Sequence, residues 1–429
     1  MVAASPPARP RAASAPPSVS RVPTDQLTPI VVAAALVLSP IRVGLAGGVT
    51  PGLAVGLALA PVWFPHLRRY RGGWPFLLIV LWCLASGIWL TAAGANDHET
   101  DQGALRQWVL LMAVLAVNVG VILWARSVLR DAAVVTWYGV GMLASAALTG
   151  VNPTNFWKGT LSLALTVTLL GLAWLARRRW LELVLCLTLA GISALMDSRS
   201  HFAMLLLATC LVVWQAWVRG RAGRTSAWRS LVVLAGLGVA IYSFGQALML
   251  EGFLGEETQQ RTLAQTEGTG SILLGGRPEL GATVALMQER PWGFGFGTLP
   301  NAHEIAVAKA GMATLEYDPD NGYVDNYMFG QLVKLHSVIG DSWSMFGIPG
   351  LVLAGFFLWA VLRRVARDLP ASALSAVVAF LAVRVVWDSA FGPLYSSLAI
   401  FAIALGIALL PRESPPGEHP AEHGRVGLA

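Results

Sequence analysis

The sequence predicts an all-α integral membrane protein with about twelve transmembrane helices. Hydrophobic residues make up 55% of its 429 residues and charged residues only 13%, whereas soluble proteins carry about 25% charged residues. A helix needs about 20 mostly apolar residues to cross a bilayer, and apolar runs of this kind recur along the chain. Short polar connections separate the runs, which indicates a multi-pass topology.

The predicted spans form two groups, nine before a long polar segment and three after it. The second span is short and rich in proline. In chain order the spans are Leu27–Gly47, Val49–Phe64, Trp74–Ala93, Trp108–Ala125, Ala132–Gly150, Gly159–Ala176, Leu181–Met196, Phe202–Val218, Leu231–Leu250, Trp343–Leu362, Leu374–Trp387 and Leu394–Leu410.

The distribution of basic residues predicts the orientation. When both termini are placed in the cytoplasm, 20 of the 30 Lys and Arg residues fall in the inner connections and tails. This bias is the one expected for cytoplasmic loops. The tails, residues 1–26 and 411–429, are rich in proline and polar residues, which predicts disorder. The formal net charge of +6 is dispersed among the spans, so the sequence predicts no nucleic-acid partner.

One predicted external segment differs from all other connections. Residues 251–341 contain no spanning run, and they hold 12 of the 24 acidic residues of the chain. A connection of this length in a compact protein usually folds and carries function. The predicted organisation is therefore a catalytic external loop between the helices of residues 27–250 and those of residues 342–410.

A helix is predicted inside this loop. Pro278 suits the first turn of a helix, and Pro291 predicts its end. Leu280, Val284 and Met287 would share one apolar face. The stretch therefore predicts an amphipathic helix of about three turns.

The glycine-rich stretch at residues 293–297 follows that helix. It lacks the preceding strand of a dinucleotide fold and the Gly-Lys-Ser/Thr of a Walker loop, so we expect a tight turn at the membrane surface. Arg277 is a candidate phosphate ligand, because its guanidinium matches phosphate geometry. The alternative is a surface salt bridge with Glu279 or Glu289.

A second candidate position lies between the seventh and eighth spans. Ser198 and Arg199 occupy a short turn between two apolar runs. A charge so close to the membrane is costly unless it is paired or solvated, and such residues are often functional. The alternative is that Arg199 extends to lipid headgroups. His201 is expected to be an interface residue.

His336 precedes the tenth span and can act as a base near neutral pH. His303, Asp320, Asp325 and Asp341 are further polar candidates in the same loop. Residues 251–341 contain no His-x-x-x-His motif, and the three cysteines of the chain do not form a closely spaced pair, so no zinc site is predicted in the loop.

Few charges are predicted inside the spans. Arg384 and Asp388 lie one turn apart in the eleventh span, so we expect them to pair with each other. Twelve spans also suit a transporter or flippase, but transporters usually place polar groups near the membrane midplane. The long external loop favours an enzyme.

The ordered motifs resemble the O-antigen ligase and polymerase family of bacterial membrane glycosyltransferases. That family typically shows a short Ser-Arg turn, a Gly-Arg before a loop helix, then Pro with spaced glycines, and finally a His before a Gly-x-x-Gly. The sequence departs from the pattern at Leu280, Ser337 and Met345. The matching residues here are Ser198, Arg199, Gly276, Arg277, Pro291, Gly293, Gly295, His336, Gly347 and Gly350.

The resemblance implies a metal-independent inverting glycosyl transfer at the outer face of the bacterial plasma membrane. The donor would be a glycan on undecaprenyl diphosphate, with its diphosphate neutralised by Arg199 and Arg277. His336 would take the proton of the acceptor hydroxyl or orient that hydroxyl. No cofactor is implied. The expected substrate-binding residues are Ser198, Arg290, Asp341 and Arg384.

The sequence does not identify the acceptor of the glycan. A ligase would use a lipid anchor, and a polymerase would use a second lipid-linked repeat unit. The departures around His336 favour the polymerase. Expected partners are the lipid-linked donor and acceptor, membrane lipid and polysaccharide assembly proteins. A scaffold that serves an export complex without catalysis is a third alternative.

Overall fold

The computed structural model describes residues 27–150, 152–219, 277–330 and 333–412, together with six isolated positions between 232 and 263. Its regular structure in these ranges is helical, with two isolated β-bridges and no strand. The predicted all-helical class is confirmed over this part of the chain.

The α-helices of the described ranges are numbered in chain order. Short 3-10 turns occur at Ala46–Gly48 and Phe64–Arg69, and π-helical turns at Trp157–Leu161 and Val324–Met328. The α-helices are α1 (Leu27–Leu38), α2 (Pro51–Ala58), α3 (Ala60–Trp63), α4 (Gly73–Gly94), α5 (Gln102–Val128), α6 (Asp131–Thr149), α7 (Ser162–Leu175), α8 (Arg179–Leu195), α9 (Arg199–Arg219), α10 (Glu279–Glu289), α11 (Ala302–Ala313), α12 (Val338–Phe346), α13 (Ile348–Asp368), α14 (Ala376–Phe391) and α15 (Leu394–Ala408).

Six helices within the described residues are long and apolar enough to cross a membrane. They are α4, α5, α6, α7 with its preceding π turn, α9 and α13, and they match the third to sixth, eighth and tenth predicted spans. The apolar helices α1 and α15 are shorter, at 12 and 15 residues. The chain is therefore a multi-pass helical protein, and the number twelve stays a prediction.

Two predicted spans differ from the helices. The second is divided among α2, α3 and a 3-10 turn, because Pro61 and Pro65 interrupt its hydrogen bonding. The tenth, predicted from Trp343, contains a break: α12 ends at Phe346 and α13 starts at Ile348. Gly347 lies between them with φ 67°, a conformation that glycine adopts at little cost. The ninth predicted span falls outside the described residues.

Most connections predicted to be cytoplasmic meet at one end of the bundle, which we call the arginine end. Arg126 donates to the carbonyl oxygens of Gly406 and Leu409, each at 2.7 Å, and forms an ion pair with Asp131 at 2.9 Å. Arg179 donates to the carbonyl of Leu374 at 2.6 Å. These bonds satisfy charges and helix-terminal carbonyls together.

The connections predicted to be external meet at the opposite end, which we call the loop end. The backbone N–H of Asp101 donates to Gly297 at 2.8 Å, and the Asn155 side chain donates to the Met196 carbonyl at 2.9 Å. The connections between helices therefore lie in two groups, one at each end of the bundle. These groups match the two predicted sides of the membrane.

The described part of the segment predicted to be external has a small core of its own. Helices α10 and α11 pack against each other, with Ala282, Leu286, Ala308 and Met312 fully buried. The predicted bounds of α10 are confirmed, but its predicted apolar face is wrong. Val284 is 55% exposed, because the buried face is set by contact with α11 rather than by the bilayer.

The two ends should differ in access to a membrane-impermeant thiol reagent. In a background without the three native cysteines, Thr154→Cys and Asp318→Cys at the loop end should label in intact cells or spheroplasts. Arg130→Cys and Arg178→Cys at the arginine end should label only after permeabilisation. Equal labelling of Thr154→Cys and Arg130→Cys before permeabilisation would contradict the two-sided arrangement.

Candidate functional site

A cluster of polar and aromatic residues forms where the first turn of α10 meets the segment before α12. We call it the His336 cluster, and it comprises Arg277, Glu279, Tyr323, Tyr327 and His336. The Tyr323 hydroxyl donates to Glu279 Oε1 at 2.6 Å. Tyr327 stacks between Tyr323 and His336, with ring centroids 5.3 Å and 5.1 Å away. Residues far apart in sequence therefore share one site.

Asp341 fixes the backbone that carries His336. Its Oδ1 accepts the N–H of Leu335 at 2.7 Å, and its Oδ2 accepts the N–H of Leu394 at 2.8 Å. His336 itself has φ 51°, which is uncommon for a non-glycine residue. The surrounding hydrogen bonds hold it there, because Ser337 caps α12 through a 2.8 Å bond to the Gly340 N–H. Asp341 thus connects the first residue of α15 to the backbone next to His336.

The electrostatic environment favours a neutral His336. Burial is the largest cause that lowers the pKa of this imidazole, and the positive charges of Arg277 and Lys334 lower it further. The Glu279 carboxylate acts in the opposite direction and raises the pKa. The net direction is downward, so the ring is neutral at pH 7 and can accept a proton. Its Nε2 lies 3.3 Å from the Tyr327 hydroxyl oxygen.

Glu279 is a buried carboxylate with one free oxygen. Its Oε2 has no hydrogen-bond partner among the described residues, and an unsatisfied buried acceptor of this kind is costly. Tyr323 stays a donor to Oε1, since burial and this hydrogen bond raise the pKa of its phenol. The cluster therefore contains one buried acceptor, Oε2, to which no described residue donates.

Arg277 is half-buried, and the alternative of a salt bridge with Glu279 or Glu289 is not observed. Glu279 accepts from Tyr323, and Glu289 instead pairs with His303 at 3.1 Å. Within the described ranges no ion pair of Arg277 occurs with either carboxylate. The positive charge of its guanidinium is close enough to lower the pKa of His336.

The candidate residues between α8 and α9 lie by the start of α9. Arg199 contacts Asp197, with 3.3 Å between Nε and Oδ1, and Ser198 is buried. His201 is also buried: it lies 3.0 Å from the Thr166 hydroxyl and packs on Phe380. The prediction of an interfacial His201 is therefore wrong, because the contact of α9 with α14 covers it.

Arg384 and Asp388 pair as predicted, at 2.8 Å. Asp388 also accepts from the Ser397 hydroxyl at 3.0 Å, which links α14 to α15. Asp341, predicted to bind substrate, has both oxygens occupied by backbone N–H groups. Its observed contacts give it a structural position next to the His336 cluster.

Arg290 lies at the far end of α10 from Arg277, roughly 20 Å along the helix axis at 1.5 Å per residue. Its guanidinium stands 5.4 Å from the Phe294 ring.

Lys309 pairs with Asp320 at 3.1 Å and with Asp325 at 2.9 Å, so these two carboxylates form exposed ion pairs. The described residues hold no His, Cys, Asp and Glu group suited to a metal ion.

The glycine-rich stretch is not the surface turn that we expected. Residues 293–298 are buried, and the N–H groups of Phe294 and Gly295 both donate to the Ser344 carbonyl, at 2.7 and 3.0 Å. Gly295 has φ 96°, and a Cβ there would lie 2.5 Å from the Thr91 backbone nitrogen. Glycine is required because the loop threads directly against α4.

The sequence analysis missed several residues at the loop end of the bundle. Glu279 was considered only as a salt-bridge partner, and Tyr323 and Tyr327 were not considered. His98 forms a buried pair with Glu304 that joins the α4–α5 connection to α11. The Asn301-x-x-Glu304 capping box of α11 was readable from the sequence, but its His98 partner was not.

The fold defines a multi-pass helical membrane protein with a folded segment packed on one end of its bundle. No family model, curated protein or solved structure matches the chain. The function therefore has to be argued from the His336 cluster and the motifs.

Replacing Asp341 should destabilise the protein. Asp341→Asn keeps one acceptor oxygen but turns an N–H₂ group toward a backbone donor, which costs roughly 1–3 kcal/mol. The melting temperature of the purified variant in detergent should fall, whereas the exposed Asp318→Asn should leave it unchanged. Identical melting of both variants would show that the two backbone bonds contribute nothing.

Two single-charge substitutions should shift the pKa of His336 in opposite directions. Glu279→Gln removes a negative charge that favours the imidazolium, so the pKa should fall. Lys334→Gln removes a positive charge, so the pKa should rise. Titration of histidine-labelled protein by NMR, with the resonance assigned through His336→Gln, measures both. Shifts of the same sign would refute the electrostatic account.

Proposed function

We propose that the protein is a membrane glycosyltransferase that moves a glycan from undecaprenyl diphosphate to an acceptor hydroxyl at the outer face of the bacterial plasma membrane. The observation that carries the proposal is a neutral, half-buried His336 within electrostatic range of Arg277, a cation that forms no ion pair with a described carboxylate. A base and a cation that act on the same site suit transfer from a diphosphate leaving group.

His336 is the general base of the proposed reaction. The acceptor oxygen attacks the anomeric carbon as its proton passes to the imidazole. The bond between that carbon and the diphosphate oxygen breaks, and the electron pair leaves with the lipid diphosphate. Attack opposite to the leaving group inverts the anomeric configuration. Glu279 stabilises the imidazolium that forms, because its carboxylate raises the pKa of His336.

Arg277 holds the diphosphate in this proposal. Negative charge grows on the leaving oxygen as the glycosidic bond breaks, and a guanidinium can meet two phosphate oxygens at once. Arg199, the first residue of α9 at the loop end, is the second proposed phosphate ligand. The glycines position the segment between α10 and α12.

The aromatic residues of the cluster suit a sugar substrate. Tyr327 is 52% exposed and presents an aromatic ring beside His336, whose Nε2 lies 3.3 Å from the Tyr327 hydroxyl oxygen. An apolar face next to hydrogen-bonding groups is the usual composition of a ligand site. Of the two acceptor classes, we favour a lipid-linked repeat unit, and hence a polymerase; a lipid anchor would make the protein a ligase. The proposed partners also include polysaccharide assembly proteins.

A transporter or flippase is the alternative function. Transporters commonly keep ionisable groups available near the membrane midplane. Here Arg126 pairs with Asp131 and Arg364 with Asp368, near the ends of their helices. Such paired charges favour structural roles, which supports the enzyme over the transporter.

Arg277→Lys should reduce glycan transfer by about 10–100-fold, because the charge remains but bidentate bonds worth roughly 1.5–3 kcal/mol are lost. Arg290→Lys is the matched control from the far end of α10 and should have a small effect. The assay is product formation by purified protein with a lipid-diphosphate glycan donor and a lipid-linked acceptor.

The opposite ranking of these two variants would refute the role of Arg277. Movement of labelled donor across proteoliposomes without any new glycosidic bond would favour the flippase. Full activity of an Arg277→Ala/His336→Ala double variant in cells would favour a scaffold without catalysis.

A further inference from the structure

A cavity lies away from the His336 cluster, between the α1–α2 connection, the first half of α5 and the start of α15. Its volume is about 570 Å³, within the range of pockets that hold small molecules. Arg42 marks its position, because this side chain donates to the Ser396 carbonyl at 2.8 Å. The cavity therefore opens at the loop end of the bundle.

The mouth of the cavity is positively charged. Arg42 and Arg106 both line it, and no Asp or Glu is present among its described lining residues. Arg106 donates to the Gly47 carbonyl, and each guanidinium has five N–H donors. Neither arginine forms an ion pair with a described carboxylate, so most of their donors and both charges stay available to an anion.

The body of the cavity is apolar. Leu110, Leu111, Val114 and Leu115 form a stripe along α5 below Arg106, and Asn118 closes the far end. The stripe from Arg106 to Asn118 is roughly 18 Å long at 1.5 Å per residue. A basic mouth therefore leads into a long apolar groove.

These features match one class of ligand. Helix α5 is long and apolar enough to span a membrane, so the groove runs from the membrane surface into the hydrocarbon layer. We propose that it binds an anionic phospholipid, with the phosphate between Arg42 and Arg106 and one acyl chain along the α5 stripe. The site is separate from the proposed transfer reaction and does not depend on it.

The two arginines and the apolar stripe each require a different part of the ligand: an anionic group and an acyl chain. A free phosphate would satisfy the arginines but leave the leucine stripe without a partner. A zwitterionic phospholipid would fill the stripe, but its own cation would offset the attraction of the two arginines. Only an anionic lipid with an acyl chain uses both parts.

The test is binding of phosphatidylglycerol and phosphatidylcholine to the purified, delipidated full-length protein in neutral detergent, measured by native mass spectrometry. Phosphatidylglycerol should bind more tightly. Arg42→Gln/Arg106→Gln should weaken its binding by about tenfold or more, because two charged hydrogen-bonding groups are lost. Val114→Phe should weaken it without changing the charge, by filling the groove.

The matched control is Arg130→Gln/Arg178→Gln, which removes two exposed arginines from the other end of the bundle and should leave binding unchanged. Melting temperatures of all variants separate misfolding from lost binding. Equal loss in the control pair would overturn the proposal, as would displacement of the lipid by inorganic phosphate at similar concentration. Unchanged binding by Val114→Phe, with normal melting, would also overturn it.

Discussion

The carboxylate of Asp341 is the contact on which the candidate site depends. It accepts one backbone N–H from the residue before His336 and another from the first residue of α15. Burial raises the pKa of this carboxyl to about 7, although the two backbone bonds act in the opposite direction. The two bonds thus offset part of the cost of burial, and they join the loop, α12 and α15 at one point.

The buried glycine segment provides the other half of the framework. Gly293 and Gly295 have φ 84° and 96°, and the N–H groups of Phe294 and Gly295 donate to the Ser344 carbonyl inside α12. Gly87 on α4 faces the Phe296 ring so closely that a Cβ there would lie 2.3 Å away. The segment predicted to be external is therefore packed into the helical bundle and does not merely cover its surface. Such packing positions α10, and with it Glu279 of the His336 cluster.

The fold class was predictable because composition and apolar length are local properties of the chain. The Arg384–Asp388 pair was predictable for the same reason, since one helical turn separates the two residues. Val284 was assigned to the wrong face because the partner of α10 is another loop helix, which periodicity cannot identify. Glu279 and Tyr323 meet across 44 positions of sequence, and no local pattern encodes such a contact. The family resemblance indicated His336 and Arg277. Only the tertiary structure shows that the charge of Arg277 lowers the pKa of His336.

The central claim is that His336 performs proton transfer while Arg277 retains the donor. The most direct measurement determines donor binding and product formation on the same purified His336→Ala protein, with His303→Ala as the control. A positioned base contributes roughly 10²–10⁴-fold to rate, so turnover should fall by that order while the lipid-diphosphate donor still binds. His303→Ala should behave as the unmodified protein. Normal turnover by His336→Ala would contradict the account, and simultaneous loss of binding and turnover would assign His336 to the donor site instead.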